Sequence, residues 1–460
     1  MYSEINNKKK IIKDLKEIFD KLWPINRSIT GNGVRETHKV LSSVCNLKTF
    51  EFPSGKKIFD WTVPDEWNPR SAFILNSKGE KIIDFKKNNL HLLNYSTSYV
   101  GLINFKNLKK HLIHDKKNPT AIPYKTSYYK KQWGFCISYN NFKKLKNENY
   151  FVHIDTIIKK GSLTLSEYYL PGKTKKEILI HSYTCHPSMA VNELSGPITA
   201  IFLAKKLTIK KNRYFSYRFV FTAETVGTIA FLNKRGSYLK KNLVAGYILT
   251  CLGIKDHFTY KRSKQKISLA DLAAEKTFKF TKLKNKKILD FSPSGSDERQ
   301  YCSIGFNLPV GALMSKKCGN YKEYHSSLDN KSILDFNSLE KTIEILENIF
   351  INIENFYKNK VNNFALKNFC QLKIKDKHKQ ILPLVKITKC EPHLSKWNIH
   401  YKTKDYKFAD KKTEAIKWLV HFSDGKNSLK YISKISNLKI SLLKKVLKTL
   451  IKSKLFKIVK

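Results

Sequence analysis

The sequence predicts an α/β protein with a central buried sheet, a small β-rich module in its N-terminal third, and a helical C-terminal unit. Three observations carry this. From about residue 150 onward, apolar strand-like runs alternate with helix-like segments, which is the pattern of an α/β core. Between about Phe50 and Ile122 the texture changes to short runs such as "SAFILNS", "KIIDF", "HLLNYST" and "YVGLINF", divided by turn residues. After about residue 380, two or three short helical segments are parted by turns at "SDGKNS" and "SNLKI" and end in a strand-like "KLFKIV". That is a helix-turn-helix or winged-helix pattern.

Taken in order, "MYSEINNKKKIIKDLKEIF" reads as an amphipathic helix. It lacks the continuous apolar core and small-residue cleavage site of a signal peptide. No stretch reaches the roughly 18 uninterrupted apolar residues of a membrane span, so a cytoplasmic protein is expected. Pro24, Gly31 and Gly33 mark a loop, and "NGVRETHKVLSSV" starts a second helix. After the β-rich stretch and "PYKTSYYKKQWGFC", the runs "YFVHIDTII" and "LTLSEYYLPG" lead into the core. There the strand "EILIHSY", the helix "GPITAIFLAKKL", the strand "FSYRFVFTAE", the helix "VGTIAFLNKR" and the strand "LVAGYILTCLG" follow one another. A long helix, "NSLEKTIEILENIFINIENFYKN", closes the core, and "LKIKDKHKQ" is a linker candidate.

Composition narrows the function classes. The eight cysteines are scattered and form no C-x-x-C pair, so a disulfide framework and a zinc finger are both disfavoured. Lys and Arg number 87 against 37 Asp and Glu, a formal charge of +50. The lysines are spread over the whole chain. Such a dispersed field favours loose contact with polyanions without defining a binding patch. In "ISLLKKVLKTLIKSKLFK" the lysines wrap around the helix, as fits a solvated face or a phosphate-reading one.

Chemistry is expected at the carboxyl ends of the core strands. In "ILIHSYTCHPSMAVNELSGP", His186 stands just past a strand, with Asn192 and Glu193 after it. Imidazole and carboxylate together suit zinc with an open position for water; a hydrogen-bonded loop is the alternative. Glu224 in "FTAETVGTIAFL" ends a strand before a helix, where it can act as a general base or simply favour the helix dipole. "FSPSGSDERQYCSIGFNLP" and "GNYKEYHSSLDN" add Asp297, Arg299, Tyr324 and His325 on loops. Arg27 and Arg35 can clamp a carboxylate or phosphate or pair with nearby acids. Trp61, Trp67 and Trp133 read as core anchors.

These segments resemble those of the zinc aminopeptidases related to bacterial leucyl aminopeptidase. "FTAETVGTIAFL" looks like their T-A-E-E-x-G, "NELSG" their D-N-x-S-G, "SGSDERQYCSIGFNLP" their S-D-H-x-x-F-x-x-x-G-I-P, and "YHSSLDN" their Y-H-x-x-x-D-T. The whole chain resembles a bacterial family of aminopeptidase-like proteins, through "RSITGNGVRET", "FPSGKKIFDWTVPDEWN", "IPYKTSYYKKQWGFC", "CHPSM" and "NELSGP". The resemblance implies a three-layer core with a mixed, mainly parallel sheet over residues 1–49 and 123–365. It also implies an inserted β domain at 50–122 and a winged helix at 380–460.

Departures from the superfamily pattern set the expected chemistry. Its bridging aspartate falls on Asn192, its second glutamate on Thr225, and its next aspartate at Thr250 and Cys251. A two-metal centre needs a carboxylate bridging ions about 3.5–4 Å apart. One zinc on His186, Glu193 and His325 is therefore expected, with Glu224 activating water to cut an amide of a peptide or peptide-like conjugate. Asn192, Asp297, Arg299, Tyr324, Arg27 and Arg35 are the expected substrate contacts. The other readings are a relative that binds such ligands without cutting them, and a winged-helix regulator that binds nucleic acid.

Overall fold

The computed structural model describes residues 8–359, 382–385, 389–399 and 410–459. The linker candidate at 372–380 lies outside them. In chain order the principal strands are β1 (Lys48–Pro53), β2 (Glu66–Leu75), β3 (Lys81–Asp84), β4 (Tyr99–Asn104), β5 (Asn149–Lys159), β6 (Ser162–Leu170), β7 (Glu177–Tyr183), β8 (Ser216–Thr222), β9 (Leu243–Leu249), β10 (His257–Lys261), β11 (Asn285–Leu289) and β12 (Val310–Met314). The helices of the core are α1 (Lys8–Leu22), α2 (Asn32–Ser42), α3 (Ser195–Ile209), α4 (Val226–Asn242), α5 (Leu269–Phe280) and α6 (Phe336–Lys358).

Eight strands form the main sheet in the order β1-β6-β8-β7-β9-β12-β10-β11. The central four, β8-β7-β9-β12, are parallel, and antiparallel pairs flank them. Every residue of β7 and β8 is buried, as expected of parallel strands covered on both faces. The chain leaves β7 through α3 to reach β8 on one side, then passes through α4 to β9 on the other. Right-handed crossovers in opposite directions put their helices on opposite faces. So α3 packs with α1 and α6, and α4 covers the other face: the core is a three-layer sandwich. The amphipathic α1 turns Ile11, Leu15, Ile18, Phe19 and Leu22 inward. Gly196 lets α3 approach the sheet, since a Cβ there would strike the Leu249 carbonyl and Ser182 Oγ.

A second, four-stranded antiparallel sheet runs β3-β2-β5-β4. Its extent differs from the sequence reading, which took "YFVHIDTII" as a prelude to the core. That run is β5, and it pairs with β2 and β4, while β1 belongs to the main sheet beside β6. The reason is local. β5 alternates buried and half-buried residues and so lies on a one-sided sheet. After only two residues the chain enters β6, whose middle is buried throughout.

Near the C-terminus, α7 (Lys411–Phe422), α8 (Leu429–Ser436) and α9 (Ile440–Lys452) enclose their own apolar cluster around Leu419, Ile432, Leu443 and Leu450. Phe291 and Cys302 of the core join that cluster. Strands β13 (Leu382–Val385) and β14 (Phe456–Val459) pair antiparallel beside it. Among the described residues no helix is long and apolar enough to cross a membrane.

Candidate active site

Because β7, β8 and β9 are parallel, their carboxyl ends bring His186, Glu224 and Cys251 to one rim of the sheet. His186 follows β7 after a short loop. Its backbone carbonyl accepts a hydrogen bond from Arg27 Nε at 2.9 Å. Its Nδ1 donates to Glu193 Oε2 at 2.7 Å. That bond fixes the tautomer and leaves Nε2 turned towards Glu224, 4.0 Å from its Oε2. Burial works against the imidazolium, but the Glu193 and Glu224 charges outweigh it and hold His186 above the usual histidine range.

Glu193 stands behind His186. It is buried, and its Oε1 lies 4.0 Å from the fully buried Arg27 guanidinium. Burial lowers the Arg27 pKa to about 10. Arg27 also donates to the Leu22 carbonyl at 2.8 Å. Arg35 pairs with Glu66 and, at 3.5 Å, with Glu51. Both arginines have thus taken acidic partners, and neither lines the cleft.

Glu224 presents a quarter-exposed side chain, 26%. Ser296 Oγ donates to its Oε1 at 2.8 Å. The next residue, Thr225, has φ 64° and ψ −77°, a strained conformation for a β-branched residue. Two neighbours hold it there. Asp297 Oδ1 accepts from its backbone N–H at 2.8 Å, and Arg299 Nη2 donates to its Oγ1 at 2.8 Å. Burial, then the Glu224 charge, push Asp297 well above the usual carboxylate range. Its Oδ2 lies 3.7 Å from His181 Nε2, and burial drives His181 down to about 3. Burial thus disfavours the charged form of both groups of this pair.

His325 adopts φ 55° and stacks on Tyr324 at 4.0 Å. Its ring centre is 5.3 Å from that of His186, and Tyr124 packs against both rings. Burial, then the charge of His186, push its pKa well below the usual range, so the ring is neutral. Asn192 is buried, and its Nδ2 has no hydrogen-bond partner among the described residues. Asp329, passed over in the sequence, ties the two loops together by accepting the N–H groups of Val191 and Asn192 at 2.7 and 2.9 Å.

Among the described residues, one group brings three possible ligand atoms within 4.8 Å of one another: Cys185, His186 and Glu193. An ion there would need bonds of about 2.0–2.3 Å to each. The 2.7 Å contact between His186 and Glu193 is instead a hydrogen bond, and Arg27 stands beside it. We therefore read this trio as a hydrogen-bonded cluster. The open space lies on the other side of His186, in a cleft of about 460 Å³, a size typical of small-molecule sites. His186, Glu224, His325 and Arg299 line it. Glu193, Asn192, Asp297 and Tyr324 do not line it. Trp61 is not a core anchor: it is half-buried and lines the cleft with Glu391 and His393 of the C-terminal part. No motif in the sequence pointed to Glu391 or His393.

Comparison with known proteins agrees with this architecture. A protein of Clostridium acetobutylicum, named as a candidate polysaccharide biosynthesis protein with an aminopeptidase-like domain, is 38% identical over 458 residues, covering 99% of this chain and 98% of that one. The crystal structure of a candidate peptidase from the same organism superposes with a TM-score of 0.74 at 37% identity, covering 99% and 98% of the two chains. A zinc aminopeptidase of Bacillus subtilis shares the fold alone, with a TM-score of 0.54 at 7% identity over 76% of this chain and 95% of that one. The family described as a domain of unknown function, DUF4910, matches residues 16–356. The chain has an aminopeptidase-like fold and belongs to the DUF4910 family.

Proposed function

We propose that this chain is a single-zinc hydrolase of the aminopeptidase type, cutting an amide bond of a peptide or peptide-like conjugate. The observation that carries the reading is the set of groups on the cleft floor. His186 turns Nε2 outward 4.0 Å from Glu224, and the neutral ring of His325 sits 5.3 Å from that of His186. Zinc would take the place of the Nε2 proton of His186 and meet His325 already neutral, and a histidine ligand characteristically donates its other ring N–H to a carboxylate. Glu193 fills that role here, so we assign it to orienting His186 rather than to holding the ion. His186 and His325 would supply the imidazoles. Asn192, Thr225 and Cys251 supply no carboxylate for a second ion.

Bound zinc would polarise the scissile carbonyl. Glu224 takes the proton of the attacking water and returns it to the departing amine. Ser296 fixes one oxygen of that carboxylate, Asp297 holds the backbone N–H of the next residue, Thr225, and Arg299 holds the Thr225 hydroxyl. A cytoplasmic location is proposed together with this activity. The three C-terminal helices are proposed as a winged helix. Their exposed lysines suit a solvated face as well as a phosphate contact, so nucleic acid is left out of the reading.

One observation favours a second reading, a relative that binds such ligands without cutting them. The buried amide of Asn192, unpartnered at Nδ2 among the described residues, stands where the resemblance would put a bridging carboxylate. Metal content and hydrolysis of aminoacyl amides by the purified chain separate the two. One zinc per chain, with hydrolysis lost in Glu224→Gln, supports the hydrolase. Ligand binding with neither metal nor turnover supports the second reading.

A further inference from the structure

Residues 389–399 lie beyond the 16–356 stretch that the family shares, yet they form one side of the cleft. They are bonded to both of its other walls. On the core side, Glu391 is buried, pairs with Arg299 Nη1 at 3.0 Å and accepts from Gln300 Nε2 at 2.8 Å. On the β-rich side, Trp61 Nε1 donates to the Glu391 carbonyl at 2.8 Å, and the His393 N–H donates to Asp60 Oδ2 at 2.7 Å. Trp397 Nε1 reaches the same Asp60 oxygen at 3.0 Å. The His393 ring is thereby laid flat on Trp61, with centres 4.5 Å apart and planes 16° apart, and Tyr129 leans on it at 4.8 Å.

This wall differs in character from the floor. Arg299 and Glu391 neutralise each other, so the slot offers ring faces and the alkyl groups of Leu394 and Ile399. Such a surface suits a large flat apolar group. Its polar groups are engaged within the protein, the Tyr129 hydroxyl with the Thr62 carbonyl at 3.3 Å and Ser395 Oγ with His393 Nε2 at 3.0 Å, so burying the hydroxyls of a sugar there would be costly.

We propose that Trp61, Tyr129 and His393 form a side-chain subsite that takes the ring of an aromatic aminoacyl group, with His393 as its specificity-determining residue. This rests on the hydrolase reading for placing the amine and carbonyl at the floor, but it is tested without turnover. Calorimetry on the full-length chain, and on its Glu224→Gln variant, compares L-phenylalanine amide, L-alanine amide, L-lysine amide and glucosamine. The phenylalanine amide is expected to bind about 3- to 10-fold more tightly than the others, the range that ring stacking supplies. His393→Ala should reduce that preference to within about twofold, and His393→Phe, which keeps a flat ring, should restore it. An undiminished preference in His393→Ala overturns the proposal. So does equal or tighter binding of alanine amide, lysine amide or glucosamine by the unaltered chain, or failure of every probe to bind. A ring preference without hydrolysis sinks only the hydrolase reading; hydrolysis without a ring preference sinks only the subsite.

Discussion

Glu193→Gln tests the inner architecture of the site most sharply. The substitution keeps the shape of the side chain and removes its charge. Two interactions depend on that charge: the 2.7 Å hydrogen bond from His186 Nδ1 and the 4.0 Å approach of Arg27. Both partners are almost wholly buried, so water cannot take over from the lost carboxylate. At 4 Å a unit-charge pair is worth about 4 kcal/mol at an effective dielectric near 20. Breaking a buried pair on one side only costs about 3–5 kcal/mol, because the remaining charge is stranded. The expected loss is therefore about 3–5 kcal/mol, read as a lowered urea midpoint of the core transition by fluorescence. Arg27→Met combined with Glu193→Met should lose less than the sum of the single changes, with a coupling of about 2 kcal/mol or more. Zinc affinity of Glu193→Gln should also fall about 10- to 100-fold, since the carboxylate that orients His186 is gone. A midpoint shift worth less than about 1 kcal/mol, with no coupling to Arg27, would show that Glu193 is not the buried counter-charge described here.

Asp329, raised to about 6 by burial, holds more protons folded than unfolded between its ordinary value of 3.8 and that point. Stability from this group is full below the unfolded value and is lost as pH rises towards 6. The loss is about 3 kcal/mol, and a pH series of urea midpoints should show it flattened in Asp329→Asn. Gly196→Ala should destabilise the core by about 2 kcal/mol or more, because the added carbon meets the Leu249 carbonyl in a close-packed interior; thermal unfolding reads this directly. Glu224→Gln is expected to retain bound zinc and lower hydrolysis of aminoacyl amides by about 100-fold or more, the range of general-base losses. Full turnover in that variant removes Glu224 from the mechanism.

Much of the core was legible because its strands and helices alternate in apolar runs of ordinary length. "EILIHSY" and "FSYRFVFTAE" became the fully buried β7 and β8, and strand-end logic placed His186 and Glu224 on one rim. Residues whose roles depend on partners far along the chain could not be read. Glu193 was expected as a ligand, but whether a carboxylate seven residues on meets Nδ1 or an ion depends on where Arg27 and the π-turn at Ala190–Leu194 put it. β5 alternates like any one-sided strand, and its sequence does not say which sheet it joins. Trp61, Glu391 and His393 come together across more than 300 positions, with no spacing to announce them. Asp329 drew no role from the sequence, and only the fold shows it clasping the backbone of Val191 and Asn192.

The proposed hydrolase requires, above all, a lone ion at His186. Atomic spectroscopy of the dialysed full-length chain, beside His186→Ala, measures this directly. About one zinc per chain, lost in the variant while the fold is kept by circular dichroism, is the predicted result. A chain that holds no zinc when supplied with it, or a variant that holds it equally well, contradicts the reading.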